Sequence, residues 1–226
     1  PNQGLEAFLR DELPILIKMF KGKFAQIRIS VSPRKKGELR DMVEMIKRFK
    51  VWNLFILEVN LACPNHRDED GLSPILARDA DAVEERLTEM SNYPGVWEIK
   101  ISTDGDYGLL NRLVWIATES GAQAIVSGNT RPGNGELDGK KLHASVGGGG
   151  YGGAILFDDT LRRTRQLKQL IRGAQSKLLI RACGGATSAS TVHQFYQFEP
   201  VEVQSTSIPY FLGEKAMQQL VMDCHS

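Results

Sequence analysis

Two asparagines bracket a thiol in the run Asn60-Leu61-Ala62-Cys63-Pro64-Asn65. Carboxamides both donate and accept, so such a pair can fix a planar polar ligand, and a thiolate between them can take a proton from a carbon acid. The competing reading is a small buried cysteine beside a Pro-Asn turn. Farther on, Lys100 stands between Ile99 and Ile101; successive side chains of a strand point to opposite faces, so its ammonium faces away from both isoleucines. A lysine turned into a barrel needs an anionic partner, because burying an unpaired charge is costly. That partner is either a strand carboxylate such as Glu98 or an electron-rich ligand such as a reduced flavin ring. Cys183-Gly184-Gly185 ends a β-rich run just before a helix predicted to open near Thr187, a geometry that aims backbone N–H groups at a phosphate. Thr206 and Ser207 hold the equivalent place after the last β-rich run. Taken alone, the Gly-Gly pair is more simply a tight turn.

These residues meet only if short strands deliver them to one rim. Six apolar β-rich runs are predicted as strands, at 25–31, 54–60, 96–101, 124–127, 177–181 and 201–204. Amphipathic helices are predicted between and after them, at about 37–49, 79–91, 106–120, 158–173, 187–197 and 213–223, with one more at about 4–20 ahead of the first strand. Such alternation argues for βα units around a parallel sheet. Ser30, Asn60 to Asn65, Lys100 to Ser102, Ser127 to Thr130, Cys183 to Gly185 and Ser205 to Ser207 all follow strand carboxyl ends, where a (β/α)₈ TIM barrel carries its active site. The predicted class is therefore α/β: one TIM-barrel domain over residues 1–226 with about six of the eight units present. The glycine-rich stretch from Gly128 to Gly153 has neither helical nor strand period and reads as a functional loop.

Composition narrows the classes. Twenty-eight Lys+Arg against 27 Asp+Glu give a net charge of +1, so no global field draws the chain to nucleic acid or anionic membrane. The basic run Arg34-Lys35-Lys36, between Pro33 and Gly37, reads as a solvated loop. Cys63, Cys183 and Cys224 are odd in number and widely spaced, which argues against a disulfide scaffold or a zinc site. No apolar run approaches the ~18 residues of a membrane span, and Pro1-Asn2-Gln3-Gly4 does not read as a signal peptide. A cytoplasmic location is expected.

Six motifs in order resemble the dihydroorotate dehydrogenases: Asn60 to Asn65, Ile99-Lys100-Ile101, Gly128-Asn129-Thr130, Gly149-Gly150-Tyr151-Gly152-Gly153-Ala154, Cys183-Gly184-Gly185 and Val203-Gln204-Ser205-Thr206-Ser207. The resemblance covers nearly the whole chain. Cys63 is similar to the base of the class 1 enzymes, where class 2 enzymes place serine. The resemblance implies FMN as cofactor and dihydroorotate oxidation to orotate, in pyrimidine biosynthesis. It makes Cys63 the base that removes the C5 proton and Asn60, Asn65, Asn129 and Thr130 the ligands of the pyrimidine ring. It sets Lys100, Gly152 and Gly153 against the flavin, and Gly184, Gly185, Thr206 and Ser207 around its phosphate.

It also implies a homo-oligomer, most simply a homodimer, with fumarate or an NAD-linked electron-transfer subunit as acceptor. Three features depart from the family pattern. Thr206 stands where glycine is usual, the acidic run His66-Arg67-Asp68-Glu69-Asp70 replaces the usual loop, and the first two strands are absent. Six parallel strands leave two open edges. The expectation is that residues upstream of Pro1, or a partner segment, supply two βα units, and that the chain alone is unstable or flavin-free. Open alternatives are a shortened non-catalytic or regulatory barrel paralogue, or another FMN-dependent pyrimidine oxidoreductase.

Overall fold

The computed structural model describes residues 4–19, 27–63, 67–68, 71–72, 75–133, 136–137, 140–141, 149–205 and 207–225. The chain opens with α1 (Leu5–Ala7), a π-helical turn at Phe8–Glu12 and α2 (Leu13–Met19). Then follow β1 (Arg28–Val31), α3 (Glu38–Phe49), β2 (Ile56–Asn60), the short β3 (Arg67–Asp68) and β4 (Gly71–Leu72), and α4 (Ala80–Leu87). Next come β5 (Trp97–Ile101), α5 (Tyr107–Glu119), β6 (Ala124–Ser127), and four short strands, β7 (Arg131–Gly133), β8 (Glu136–Leu137), β9 (Lys140–Lys141) and β10 (Gly149–Tyr151). The chain ends with α6 (Phe157–Gly173), β11 (Leu179–Cys183), α7 (Ala189–Tyr196), β12 (Val201–Gln204) and α8 (Ser207–His225).

Six strands pair in parallel in the order β1-β2-β5-β6-β11-β12. Ile29, Val31, Leu57, Val59, Ile99, Ile101, Ile125 and Ile180 are all buried and alternate with the polar positions, so one face of the sheet is apolar. Helices cover that face. α3 sets Leu39, Val43 and Ile46 against it at helical spacing, and α5 sets Leu110, Leu113, Val114 and Ala117; each fully buried aliphatic side chain is worth about 1.5–3 kcal/mol. The buried residues form a continuous core from Leu9 to Leu220.

The other face is polar, and the sheet curls around it. Register pairs Ser30 with Glu58, Glu58 with Glu98, and Arg181 with Glu202. Arg181 bonds both Glu98 and Glu202, and Arg28 lies 3.4 Å from Glu98. The buried carboxylates of Glu58 and Glu98 sit side by side on neighbouring strands, compensated by Arg28, Arg181 and Lys100. The architecture is an α/β half-barrel of six parallel strands.

Local differences from the sequence expectation have physical causes. The Gly128–Gly153 stretch is not strandless: β7 pairs antiparallel with β10, and β8 with β9. β11 starts and ends two residues later than expected, because its pairing begins at Leu179 opposite Ala124. The last helix begins at Ser207 rather than near 213 and is kinked at Gly213, whose φ is 82°.

Candidate functional site

A cavity of about 420 Å³ opens at the carboxyl ends of the strands, lined by Lys100, Asn129, Thr130, Gly150, Gly152, Gly153, Leu156, Cys183, Gly184, Gly185, Ala186, Thr187, Gln204 and Ser205. Seven of the residues expected at a site from sequence therefore share one wall system: Lys100, Asn129, Thr130, Gly152, Gly153, Gly184 and Gly185. Asn65 and Thr206 lie outside the described residues, and Ser207 is the first residue of α8. Cys63 is half-buried and does not line the cavity.

Asn129 ties this cavity to the Cys63 strand end. Its Nδ2 donates to Asn60 Oδ1 at 3.0 Å and to the Ala62 carbonyl at 2.7 Å, while its Oδ1 accepts from the Thr130 N–H at 2.8 Å. Asn60 Oδ1 also accepts from the Ala62 N–H at 3.1 Å. The two carboxamides thus brace each other and the backbone that leads into Cys63. Gly128 makes this possible: its φ is +119°, and a Cβ there would lie 2.1 Å from the Cys183 carbonyl oxygen.

The glycine turn after β11 is shaped from behind. At Gly184 a Cβ would meet Thr160 Oγ1 at 2.9 Å, and at Gly185, with φ +78°, it would meet the Phe157 backbone at 2.3 Å. Packing against α6 therefore explains both glycines. The helix behind the turn starts at Ala189, two residues later than expected, in a capping box of Ser188 and Thr191. Thr191 Oγ1 accepts from the N–H groups of Thr187 and Ser188. Ser205 Oγ donates to the Ala186 carbonyl at 2.9 Å, which joins the end of β12 to the same turn.

Lys100 projects from the polar face, as its place between Ile99 and Ile101 implied, but its carboxylate neighbour is Glu58 of the adjacent strand, 3.6 Å away. Ser30 Oγ donates to the same carboxylate at 2.6 Å. Burial pushes the Lys100 ammonium toward losing its proton, and Cys183 and Glu58 beside it more than offset that, holding it above the usual lysine range. Burial, with Glu58, pushes the Cys183 thiol up against the pull of Lys100. At neutral pH the thiol keeps its proton, and Glu58 is the formal negative charge at Lys100.

Sequence reading missed Glu58 beside this cavity, and it named Cys183, Gln204 and Ser205 only as members of motifs, with no role of their own. Glu58 was readable in principle, since it lies two residues before Asn60 and so on the same strand face.

The family model for dihydroorotate dehydrogenase matches residues 1–224. No curated protein matches the sequence. Among solved structures, the chain is similar to ligand-free DHODH from Eimeria tenella, with a TM-score of 0.67 at 15% identity over 95% of this chain and 65% of that one. It is also similar to DHODH from Eimeria tenella in complex with ferulenol, with a TM-score of 0.70 at 14% identity over 96% of this chain and 62% of that one. At such identity the likeness speaks for the fold, and the chain spans less than two thirds of those neighbours' length. The match over residues 1–224 settles the kinship: this chain belongs to the dihydroorotate dehydrogenase family.

Proposed function

We propose that the chain supplies the FMN- and pyrimidine-binding part of a class 1-like dihydroorotate dehydrogenase, oxidising dihydroorotate to orotate in pyrimidine biosynthesis. The observation that carries this reading is the cavity joining Lys100, Asn129 and Thr130 to the Gly184-Gly185 turn at one sheet rim. Its volume falls in the roughly 300–1,000 Å³ range of small-molecule and cofactor sites. A cation on one wall and a glycine turn on another suit a flavin ring and its phosphate.

In this reading Cys63 takes the C5 proton, and Asn60, Asn65, Asn129 and Thr130 hold the pyrimidine ring. When bound, FMN supplies the hydride acceptor. Lys100 stands against the ring, Gly152 and Gly153 let the main chain come close to it, and Gly184, Gly185, Thr206 and Ser207 hold the phosphate. Fumarate or an NAD-linked electron-transfer subunit takes the electrons, and residues 1–226 belong to one TIM-barrel domain of a homo-oligomer.

Incubation of the full-length protein with FMN, followed by removal of free flavin, is expected to leave a yellow protein that dihydroorotate bleaches. Cys63→Ala should bind FMN and fail to bleach, whereas Cys63→Ser should retain slow, high-pH activity, since a hydroxyl is a poorer base than a thiol. A colourless full-length protein, or equal bleaching in wild type and Cys63→Ala, would overturn the reading.

A further inference from the structure

We propose that Glu58 is a positioning residue of the cavity, fixing the Lys100 ammonium from beneath so that its charge is offered to an electron-rich ligand above. The inference deepens the proposed function and rests on it for the identity of that ligand, a planar heteroaromatic whose reduced form is anionic. Glu58 is 4% exposed and lies 3.6 Å from Lys100 Nζ. The Ser30 hydroxyl, 2.6 Å away, clamps its Oε1 from β1. Glu58 therefore has little freedom to leave the ammonium, while the deeper Glu98 is engaged by Arg181 and lies 3.4 Å from Arg28.

Among the described residues, the charged and titratable groups around Lys100 fit this division. From β2 comes Glu58, from β11 come Cys183 and Arg181, from β5 comes Glu98, and from β1 comes Arg28. Arg28 and Arg181 are engaged by Glu98 and Glu202, one layer deeper. With Glu58 ionised, Lys100 is balanced within the protein and has a side turned to the cavity that it lines. Removing the Glu58 charge leaves the cavity floor one unit more positive, and both the neighbouring thiol and a bound ligand must respond.

The test compares wild type with Glu58→Gln in two measurements on the full-length protein. In the cofactor-free form, iodoacetamide labelling of Cys183 is followed against pH by peptide mass spectrometry; in the FMN-loaded form, the flavin midpoint potential is measured. Glu58→Gln is expected to shift Cys183 labelling to lower pH and the potential to more positive values. Unchanged labelling and potential would overturn the proposal. Failure to bind FMN would instead strike the proposed function, while the labelling profile still decides the role of Glu58. If Glu58→Gln does not fold, Glu58→Asp decides: it keeps the charge but withdraws it, so a smaller shift in the same direction is expected, and none would overturn the proposal.

Discussion

Arg28 on the first strand of the sheet reaches Glu202 on the last, with Nη2 donating to Oε2 at 2.9 Å. Five strand spacings separate these strands, about 24 Å in a flat sheet. Two side chains cannot span that gap, so the bond is a consequence of curling. The same Glu202 oxygen also takes Arg181, which in turn holds Glu98, and the polar face thereby becomes a closed charge network beneath the cavity.

Arg181 is the member of this network whose loss should hurt most. It is 4% exposed, and its partner Glu98 is 1% exposed. Arg181→Met strands a buried carboxylate, which is expected to cost about 3–5 kcal/mol. Arg28→Met removes a more exposed partner, and about 1 kcal/mol is expected. Urea unfolding at neutral pH measures both; equal losses would contradict the assignment of Arg181 as the central counter-ion.

Asn129 offers a sharper test, because isosteric and truncating substitutions should rank against intuition. Asn129→Ala leaves the Ala62 carbonyl without its Nδ2 donor, at a cost of about 1–3 kcal/mol. Asn129→Asp keeps the shape but turns a carboxylate oxygen toward two acceptors, Asn60 Oδ1 and the Ala62 carbonyl. It should therefore be the less stable of the two in thermal melts at neutral pH. If the chain acts as proposed, both should lower kcat/KM for dihydroorotate by about tenfold or more, since about 1.4 kcal/mol of lost transition-state binding already gives that factor.

Much of the sheet was legible because its apolar positions alternate with polar ones, and 124–127 and 201–204 match their strands end to end. The start of α8 is less legible, because Pro209 and Gly213 interrupt its helical pattern. The proline lies in the first turn, where a missing N–H costs nothing, and glycine absorbs the kink. Glu58 was missed for a different reason. Sequence proximity suggested Glu98 for Lys100, whereas parallel register sets Lys100 beside Asn60, one step above Glu58 on the next strand. Cross-strand neighbours of this kind depend on register that no single strand encodes. The ribbon of β7 and β10 carries too much Gly and Pro to show a period.

Glu89 should make stability pH-dependent on the acid side. From the 3₁₀ turn Thr88–Met90 it accepts from the N–H groups of Gly37 at 2.8 Å and Arg40 at 3.0 Å, capping α3 from another element. Burial pushes its carboxyl up, but these N–H groups and Arg86 outweigh it and hold the group below its ordinary value of 4.5. Its contribution is therefore full above about 4.5 and lost as pH falls through the lower folded value. Glu89→Gln should cost about 1–2 kcal/mol at pH 7 and progressively less in melts taken below pH 4.5. A difference that stays constant with pH would show that the charge plays no part.

Gly185 and Gly121 separate backbone strain from crowding. Their φ values are nearly equal, +78° and +81°, so alanine meets the same left-handed penalty at each, about 1–2 kcal/mol. A Cβ at Gly121 has nothing within 4 Å, whereas at Gly185 it lies 2.3 Å from Phe157 Cα and 2.5 Å from its nitrogen. Phe157 cannot easily retreat. It begins α6, and its ring packs edge-on against Phe195 of α7 with centroids 5.5 Å apart. Gly185→Ala should therefore cost about 1–3 kcal/mol more than Gly121→Ala, and should also weaken FMN binding if the turn holds the phosphate. Denaturant melts of the two variants give the difference directly, and equal losses would show that α6 yields to the added carbon.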